Sequence, residues 1–483
     1  MASWSPCRLY DDILLHILHF ASKDVVCILM QTCRMFHERG AKYLLQDGLS
    51  LATNKQILSF MLFVGSDSDR ERARILHLRK LTLSRRPLLI DVSESDLVLS
   101  PEAVGMLLHG LFTAIASFGC LEILTIYDSE EVLSLHPALA EVIAALPTIT
   151  QLNISFAGVR TVRMLKALRS TLFSADIRLG FKALHNESEL SIEDKNPMWL
   201  LHGSQDTLRQ LSTTSPGSAP DNPQYPLVTV LNLTYTEIPR TQHYVRAFPH
   251  LRIITTDDYF GWDSGEDFDM WRALNQNEQD RLGTWPSLDS YCGTVTNLYL
   301  LGLRCPVGTM ELDHEGQMFS PTMLHAVLGD ARPRQLQLRV CGGHSLVDPA
   351  FLETFAHPGV QALERFELFV DLQKGDREMV IFAALDPVVL ALRIVAPLKH
   401  LVGFRLCLDY TWINFLTHRA EAVEGPPLEP AEEALVGWDI DDFAHRMQQK
   451  LSASTNLRSI IVSLQGHRTR SPETVTVGDI VSR

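Results

Sequence analysis

Cysteine is scarce in this chain and never occurs in closely spaced pairs. The eight cysteines lie at positions 7, 27, 33, 120, 292, 305, 341 and 407, without a Cys-x-x-Cys motif. In a chain of 483 residues, such scattered cysteines disfavour a disulfide framework and are typical of reduced, mostly buried thiols. We therefore expect a protein of a reducing compartment, in the cytoplasm or the nucleus or both.

Positive charge is also in deficit. The chain has 43 lysines and arginines against 57 aspartates and glutamates, a net charge of −14 at pH 7. A bulk charge of this sign disfavours nonspecific binding to nucleic acid. The hydrophobic fraction of 46% with 21% charged residues is that of an ordinary folded protein. We expect no nucleic-acid partner.

A long hydrophobic run is missing as well. Residues 103–121 form the longest stretch without Asp, Glu, Lys or Arg, but Gly105 and His109 are among several residues that dilute its hydrophobicity. Asp11 and Asp12 interrupt the apolar residues near the N-terminus, which disfavours a secretory signal. These patterns predict a soluble protein without a membrane role, in which residues 103–121 form a buried helix that leads into a strand.

The sequence lacks the short motifs that mark catalytic or cofactor sites. It contains no G-x-x-x-x-G-K-[ST], no G-x-G-x-x-G and no G-x-S-x-G. His37-Glu38 begins like a zinc-binding helix, but no second histidine follows at the required spacing. Asp263, Asp267 and Asp269 lack the glycine that a calcium loop requires. We expect no catalytic residues, no metal and no cofactor.

The first 46 residues carry an apolar pattern that cannot be satisfied within the segment. One set of apolar residues recurs at helical spacing, and two further short helices follow it. The apolar positions of the first helix are Leu9, Ile13, Leu14, Ile17, Leu18 and Phe20. Either Ser22 or Asp24 can cap the second helix. Three helices in so few residues bury too little surface to be stable alone, so another surface must cover them.

Within residues 6–45, several elements occur together at defined spacing. They are the run D-D-I-L-x-x-I-L from Asp11, an acidic residue at Asp24, and C-R-x-F from Cys33. This combination resembles an F-box. Two features depart from the family pattern, since the usual Leu-Pro is Leu9-Tyr10 here and the frequent tryptophan near the end is absent. The alternative is an N-terminal helical cap that packs on the following domain.

F-box proteins dock onto the Skp-family adaptor of a cullin–RING ubiquitin ligase. The resemblance therefore implies that residues 1–48 form an F-box-like domain and that the chain is a non-catalytic substrate receptor in ubiquitin-dependent degradation. It implies that the following residues contact the adaptor or pack the helices: Leu9, Ile13, Leu14, Ile17, Leu18, Val25, Leu29 and Cys33. The alternative is a scaffold or interaction protein without a role in ubiquitination.

Beyond residue 70 one pattern returns, an apolar helix and a connector followed by Φ-x-x-Φ-x-Φ, where Φ is apolar. The alternation of its last three positions predicts a strand with one buried face. The copies are Leu78/Leu81/Leu83, Leu121/Leu124/Ile126, Ile149/Leu152/Ile154, Val228/Leu231/Leu233, Val295/Leu298/Leu300, Pro333/Leu336/Leu338, Leu363/Phe366/Leu368, Leu401/Phe404/Leu406 and Leu457/Ile460/Val462, with fragments at Leu208/Leu211 and Leu251/Ile254. Helices are expected at residues 137–145, 321–329, 349–356, 387–395 and 440–451.

This repetition resembles an irregular leucine-rich repeat, whose unit is L-x-x-L-x-L-x-x-N/C. Only one copy has the expected residue at its ninth position, Cys341, and the spacing between copies varies, as in the degenerate repeats of fungal F-box proteins. We expect an α/β solenoid with a parallel sheet and outer helices. The alternative is a non-repeating α/β domain. The expected layout has linking helices at 49–77, the repeat domain at 78–465 with loops near 212–226, 257–290 and 421–438, and a polar tail at 466–483.

Two patches are candidate contacts for a protein substrate or partner. The first is a basic cluster that includes Arg79, Lys80, Arg85 and Arg86, and it is either a solvated edge or a contact for an acidic or phosphorylated surface. The second is the acidic and aromatic stretch 257–269, which includes Tyr259 and Trp262. Its aromatic residues either pack on the scaffold or form a binding site for a basic peptide.

Overall fold

The computed structural model of the chain forms two compact units. It describes residues 11–64, 73–84, 99–118, 120–180, 183, 190–214, 219–234, 239–257, 267–313, 320–373, 376, 386–411, 413, 427–451, 456–466 and 468–478. Unit 1 comprises Met1–Gly217 and Asp221–Val228, and unit 2 comprises Ser218–Pro220 and Thr229–Arg483.

Unit 1 begins with three short helices, which we call the head. They are α1 (Asp11–Phe20), α2 (Lys23–Met30) and α3 (Arg34–Leu45). Their small shared core consists of Leu18, Val26, Met30, Phe36 and Ala41. Ser22 occupies the N-cap position of α2, but its side chain makes no capping hydrogen bond, so neither proposed cap is seen to act through its side chain.

Parallel strands and helices alternate through the rest of unit 1. The strands are β1 (Leu49–Leu51), β2 (Lys80–Leu83), β3 (Ile123–Ile126), β4 (Gln151–Ala157), β5 (Ser174–Leu179) and β6 (Gln210–Thr214), each parallel to the next. The helices are α4 (Asn54–Val64), α5 (Pro101–Phe118), α6 (Ser129–Ser134), α7 (Leu139–Ala144), α8 (Val159–Lys166) and α9 (Pro197–Leu200), with a 3-10 turn at Ala73–His77. Residues 49–77 therefore contribute a strand as well as helices.

Unit 2 repeats this alternation of parallel strands and helices, and most of its strands are longer. They are β7 (Val230–Thr234), β8 (Ile253–Asp257), β9 (Leu288–Thr294), β10 (Val307–Asp313), β11 (Gln335–Cys341), β12 (Arg365–Asp371), β13 (Gly403–Asp409), β14 (Ser459–Gln465) and β15 (Glu473–Gly478). The helices are α10 (Thr241–Ala247), α11 (Phe268–Leu282), α12 (Val295–Leu301), α13 (Pro321–Ala331), α14 (Pro349–Thr354), α15 (Pro387–Leu390), α16 (Pro430–Val436) and α17 (Ile440–Leu451). Strands β7 to β14 are parallel in chain order, and β15 is antiparallel to β14.

Alternate residues of each strand form the core. In β11, Leu336 and Leu338 are buried, and they pair in register with Phe366 and Leu368 of β12. Burial of one face explains why the Φ-x-x-Φ-x-Φ pattern locates strands. The expected α/β class, with a mostly parallel arrangement of strands and accompanying helices, is confirmed.

One copy of the pattern was assigned to the wrong element. Val295/Leu298/Leu300 does not form a strand, since it lies in helix α12, and the strand of this region is β9 just before it. Thr294 caps α12, because its Oγ1 accepts a hydrogen bond from Asn297 N at 3.1 Å, and Gly302 ends the helix with φ of 55°.

Parts of the expected loops and tail are ordered elements. Residues 212–214 belong to β6, residues 268–282 form α11, residues 288–290 begin β9, and residues 430–436 form α16. The expected insertion is also anchored, because the buried Tyr225 donates a hydrogen bond from its hydroxyl to Met198 O. The expected polar tail contains β15.

Helix α5 corresponds to the apolar stretch 103–121. By length and composition alone it is the single helix in the described residues that is apolar enough to cross a membrane. Leu108, Leu111 and Phe112 on one side of it are buried in unit 1, and β3 follows it. The predicted helix leading into a strand is present, but only one side of the helix is buried, and Met106 on it is 68% exposed.

Candidate partner-docking site on the N-terminal helices

Helices α1 and α2 expose five large apolar side chains. Each has between 41% and 82% of its surface exposed: Ile13, Ile17, Phe20, Val25 and Ile28. The three residues of α1 are spaced by four and three, and the two of α2 by three, so each set shares one side of its helix. Single exposed apolar residues are ordinary, but five of them on two consecutive helices with a shared core make a candidate interaction surface. We call these five residues the apolar face.

The opposite sides of the same helices pack the head. Leu18 is 1% exposed and lies in the shared core, whereas Leu14 and Leu29 are partly buried against it. The resemblance implied that such residues either contact the adaptor or pack the helices. These three pack the helices. Leu18 in particular is inaccessible to a partner.

The remaining predicted residues divide between exposed and undescribed positions. Ile13, Ile17 and Val25 belong to the apolar face, and Cys33 is exposed at the N-cap of α3. Leu9 lies outside the described residues. Sequence reasoning did not assign Phe20 or Ile28 to the site. The signal for Ile28 was its position three residues after Val25, on the same side of α2.

Polar and aromatic side chains border the apolar face. The rings of His16 and His19 lie 6.3 Å and 5.0 Å from the ring of Phe20, and the ring of His19 is 6.3 Å from that of Tyr43. A separate exposed ion pair on α3 joins Arg34 Nε and Glu38 Oε1, which are 2.9 Å apart. An apolar centre with a polar border is the usual anatomy of a protein–protein interface.

Arg74 holds the head to the rest of unit 1. This largely buried side chain donates from Nη1 to Phe63 O at 2.6 Å and from Nη2 to His37 Nε2 at 2.7 Å. Its guanidinium also lies 4.5 Å from the centroid of the Phe63 ring. Lys23 Nζ donates to Gly48 O at 2.8 Å. These contacts tie α2 and α3 to the segments that follow them, so the apolar face is presented in a defined orientation within unit 1.

The predicted basic cluster is described only in part. Arg79 Nη1 lies 2.6 Å from Glu122 Oε1, with both side chains about half exposed, and Lys80 is exposed. Arg85 and Arg86 lie outside the described residues. Arg74, a further member of the predicted cluster, is buried, whereas Arg79 and Lys80 lie at a solvated strand end, where Arg79 already has an acidic partner.

The acidic and aromatic stretch is also described only at its ends. Tyr259 and Trp262 lie outside the described residues. Asp267 caps α11 by accepting a hydrogen bond from Met270 N at 3.0 Å, and Asp269 Oδ1 accepts one from the Tyr299 hydroxyl at 2.5 Å. Burial and the neighbouring Asp269 raise the pKa of Tyr299 to about 12. The two carboxylates therefore have structural roles in unit 2.

Comparison with known proteins identifies no family for the chain. No protein-family model matches the chain, and no curated protein matches it.

Proposed function

We propose that the chain is the substrate receptor of a cullin–RING ubiquitin ligase of the Skp–cullin–F-box type. The observation that carries this proposal is the apolar face, which lies within the segment that resembles an F-box and whose five side chains are on average about half exposed. A Skp-family adaptor docks on this face and links the chain to a cullin. Such a receptor acts in the cytoplasm or the nucleus.

The size of the apolar face suits a contact that also needs polar groups. Full burial of a large apolar side chain contributes about 1.5–3 kcal/mol, so five residues that are about half exposed contribute roughly 5 kcal/mol together. Micromolar affinity corresponds to about 8 kcal/mol, and association has an entropic cost as well. Polar groups that border the face, such as His16 and His19 beside Phe20, therefore contribute to docking.

The parallel strands and their helices form, in this proposal, an irregular leucine-rich-repeat solenoid that holds the substrate. Solenoids offer extended surfaces for binding other proteins. The chain itself alters no covalent bond. It acts by proximity, since it raises the local concentration of substrate lysines near a bound conjugating enzyme. The contacts of Arg74 keep the head oriented on the rest of unit 1 while ubiquitin is transferred to the substrate.

Affinity purification of the full chain from cells tests the proposal. The wild type is expected to recover a Skp-family adaptor and a cullin. The double variant Ile13→Asp/Ile17→Asp is expected to recover neither, because two carboxylates in an apolar contact have no partner. Leu62→Asp is the matched control, since Leu62 is 71% exposed on α4, outside the head.

Three outcomes decide the proposal. Retention of the adaptor by the double variant rules out the apolar face as the docking site. Loss of the adaptor from Leu62→Asp as well shows that the effect is not specific to the face. If deletion of the chain leaves the turnover of every co-purifying protein unchanged in cells, the ligase role is contradicted and the scaffold alternative is favoured.

A further inference from the structure

Two neighbouring strands of unit 1 end in unusual backbone conformations. Asp128, just after β3, has φ of 51°, and Phe156, in β4, has φ of 54°. The two strands pair in register up to Ile126 and Ile154, and each of the two residues lies two positions further along, toward the carboxyl end of its strand. Left-handed backbone costs a residue with a side chain about 1–2 kcal/mol, and it is rare for a bulky residue such as phenylalanine.

A bulge in β4 explains where the Phe156 side chain lies. Ile154 pairs with Ile177 of β5, and Ala157 pairs with Leu179, so β4 contains one more residue than β5 between these pairs. The extra residue keeps Ala157 buried and leaves Phe156 60% exposed. Bulges often redirect a side chain in this way next to functional sites.

A second aromatic side chain is exposed beside the bulge. Tyr127 directly follows β3 and is 47% exposed, and its backbone N donates to Leu83 O at 2.8 Å. Tyr127 and Phe156 thus expose two aromatic rings near the carboxyl ends of two neighbouring strands. The strained backbone and the exposed apolar surface each lower the stability of the fold. Their occurrence together points to a role outside folding.

Two carboxylates follow Tyr127 in the chain, Asp128 directly after it and Glu131 in the first turn of α6. In the described part of the chain no ion pair involves Asp128 or Glu131. Glu130, which lies between them in the sequence, is paired with Arg160, with Oε1 and Nη1 3.2 Å apart. Burial and the nearby Glu131 raise the pKa of Asp128, so the two carboxylates repel each other.

We propose that Tyr127, Phe156, Asp128 and Glu131 form a docking site for a protein segment in which a lysine or arginine lies next to an apolar side chain. The rings bury the apolar group, and the cation relieves the repulsion between the two carboxylates. This inference rests on the proposed function, because it makes the site the place where the receptor holds its substrate. The site uses no residue of the apolar face.

Peptide binding by the full chain tests this site. The probes are fluorescent twelve-residue peptides of glycine and serine with a central pair, either Arg-Leu, Lys-Phe, Glu-Leu or Asp-Phe. We expect the basic pairs to bind at least ten-fold more tightly than the acidic pairs, with a preference that falls as salt rises. Equal binding of basic and acidic pairs would overturn the proposal.

Phe156→Gly separates a docking role from a structural one. Glycine adopts positive φ without strain, so the variant is expected to keep or slightly raise the melting temperature while weakening the basic peptides at least ten-fold. Asp128→Asn/Glu131→Gln is expected to remove the preference for basic peptides, and asparagine tolerates the backbone at position 128. A lower melting temperature of Phe156→Gly, or full retention of peptide binding, would contradict the inference.

Two further measurements keep the outcomes distinct. Phe173→Ala is the matched control, because Phe173 is also an exposed aromatic residue but lies just before β5, at the opposite end of the strands, and it should bind the peptides normally. Adaptor recovery is measured on the same variants. Adaptor binding without peptide binding overturns only this inference, whereas peptide binding without adaptor binding overturns only the proposed function.

Discussion

At the scale of single residues, burial separates two exposed from three buried cysteines among those that the structure describes, with Cys292 and Cys341 in between. Cys27 and Cys33 are exposed on the head, whereas Cys120, Cys305 and Cys407 are buried. Burial raises the pKa of all three buried thiols, to about 11 for Cys305 and Cys407. Because the thiolate is the reactive form, these thiols are doubly protected, by their pKa and by their surroundings.

Alkylation checks this division. At pH 8 a thiol with a pKa near 11 is ionised in only about one molecule in a thousand. We expect iodoacetamide to label Cys27 and Cys33 in the native protein, and to label Cys305 and Cys407 only after denaturation. Mass spectrometry of the digested protein measures each site. Equal labelling of Cys27 and Cys305 in the native protein would contradict the assigned burial.

Arg74 and Arg79 show how surroundings separate two residues of the same type. Arg74→Ala leaves Phe63 O and His37 without their donor and is expected to lower the free energy of unfolding by about 2–4 kcal/mol. Arg79→Ala removes a half-exposed ion pair with Glu122 and a long hydrogen bond to Cys120 O at 3.5 Å, and it should lower this free energy by less than about 1 kcal/mol. Urea titration measures both, and equal losses would refute the role given to Arg74.

Sequence periodicity predicted which residues of the head are apolar but not which side of each helix is covered. Ile17 and Leu18 are adjacent and equally apolar, yet Ile17 is 41% exposed and Leu18 is 1% exposed. The apolar stripe of α1 is wider than the side that α3 can cover. Which of its residues become buried therefore depends on where α3 packs. That position is a tertiary contact, which local spacing does not determine.

At the scale of elements, the strand pattern worked where the element has one covered face. It failed at Val295/Leu298/Leu300 because α12 is covered on nearly every side: Val295, Leu298, Tyr299, Leu300 and Leu301 are all buried. A short run that is buried all round fits the strand period and the helix period equally well. Strand β5 was missed for another reason, since Ala175 is too small to stand out as an apolar position.

Two glycines in α5 provide a matched test of helix packing. A Cβ at Gly105 would lie 2.1 Å from Leu135 O, whereas the nearest atom to a Cβ at Gly110 is Met61 Cε at 3.8 Å. Gly105→Ala is therefore expected to destabilise the protein by about 1–3 kcal/mol despite a better helix propensity. Gly110→Ala should stabilise it by about 0.5–1 kcal/mol. Thermal unfolding of both variants checks the opposite signs, and equal signs would contradict this packing.

The C-terminal segment is fixed by a buried ion pair. Arg468 Nε and Nη2 each lie 3.1 Å from the Glu432 carboxylate, which is fully buried at the start of α16. Arg468→Ala removes the guanidinium from that buried carboxylate, and we expect a loss of about 3–5 kcal/mol in unfolding free energy. Arg34→Ala, which breaks an exposed pair, should cost less than about 1 kcal/mol. A similar small effect of both would show that the segment is loosely attached.

The same ion pair explains why composition mispredicted the tail. Residues 466–483 are polar, and polar composition near an end of a chain is a poor guide when its charges have buried partners. Arg470 also donates to Leu435 O at 3.0 Å and to Trp438 O at 2.8 Å. These partners lie more than thirty residues away in the sequence. Local sequence therefore gave no sign that β15 would pair with β14.

At the scale of the whole molecule, the fold class followed from the sequence more readily than the function did. Repeated alternation of apolar residues implies strands with one buried face, and helices between them imply parallel pairing. Function requires knowing which surface stays uncovered in the folded chain. That information came from the geometry of the head, where Phe20 and Ile28 join the predicted Ile13, Ile17 and Val25.

Calorimetric titration of a purified Skp-family adaptor into the full chain tests the central claim most directly. The account predicts a complex with a Kd of about 1 µM or tighter and a negative heat-capacity change, because docking buries the apolar face. The Ile13→Asp/Ile17→Asp variant should bind at least one hundred-fold more weakly. An absence of binding by the wild type, or equal binding by the variant, would contradict the account.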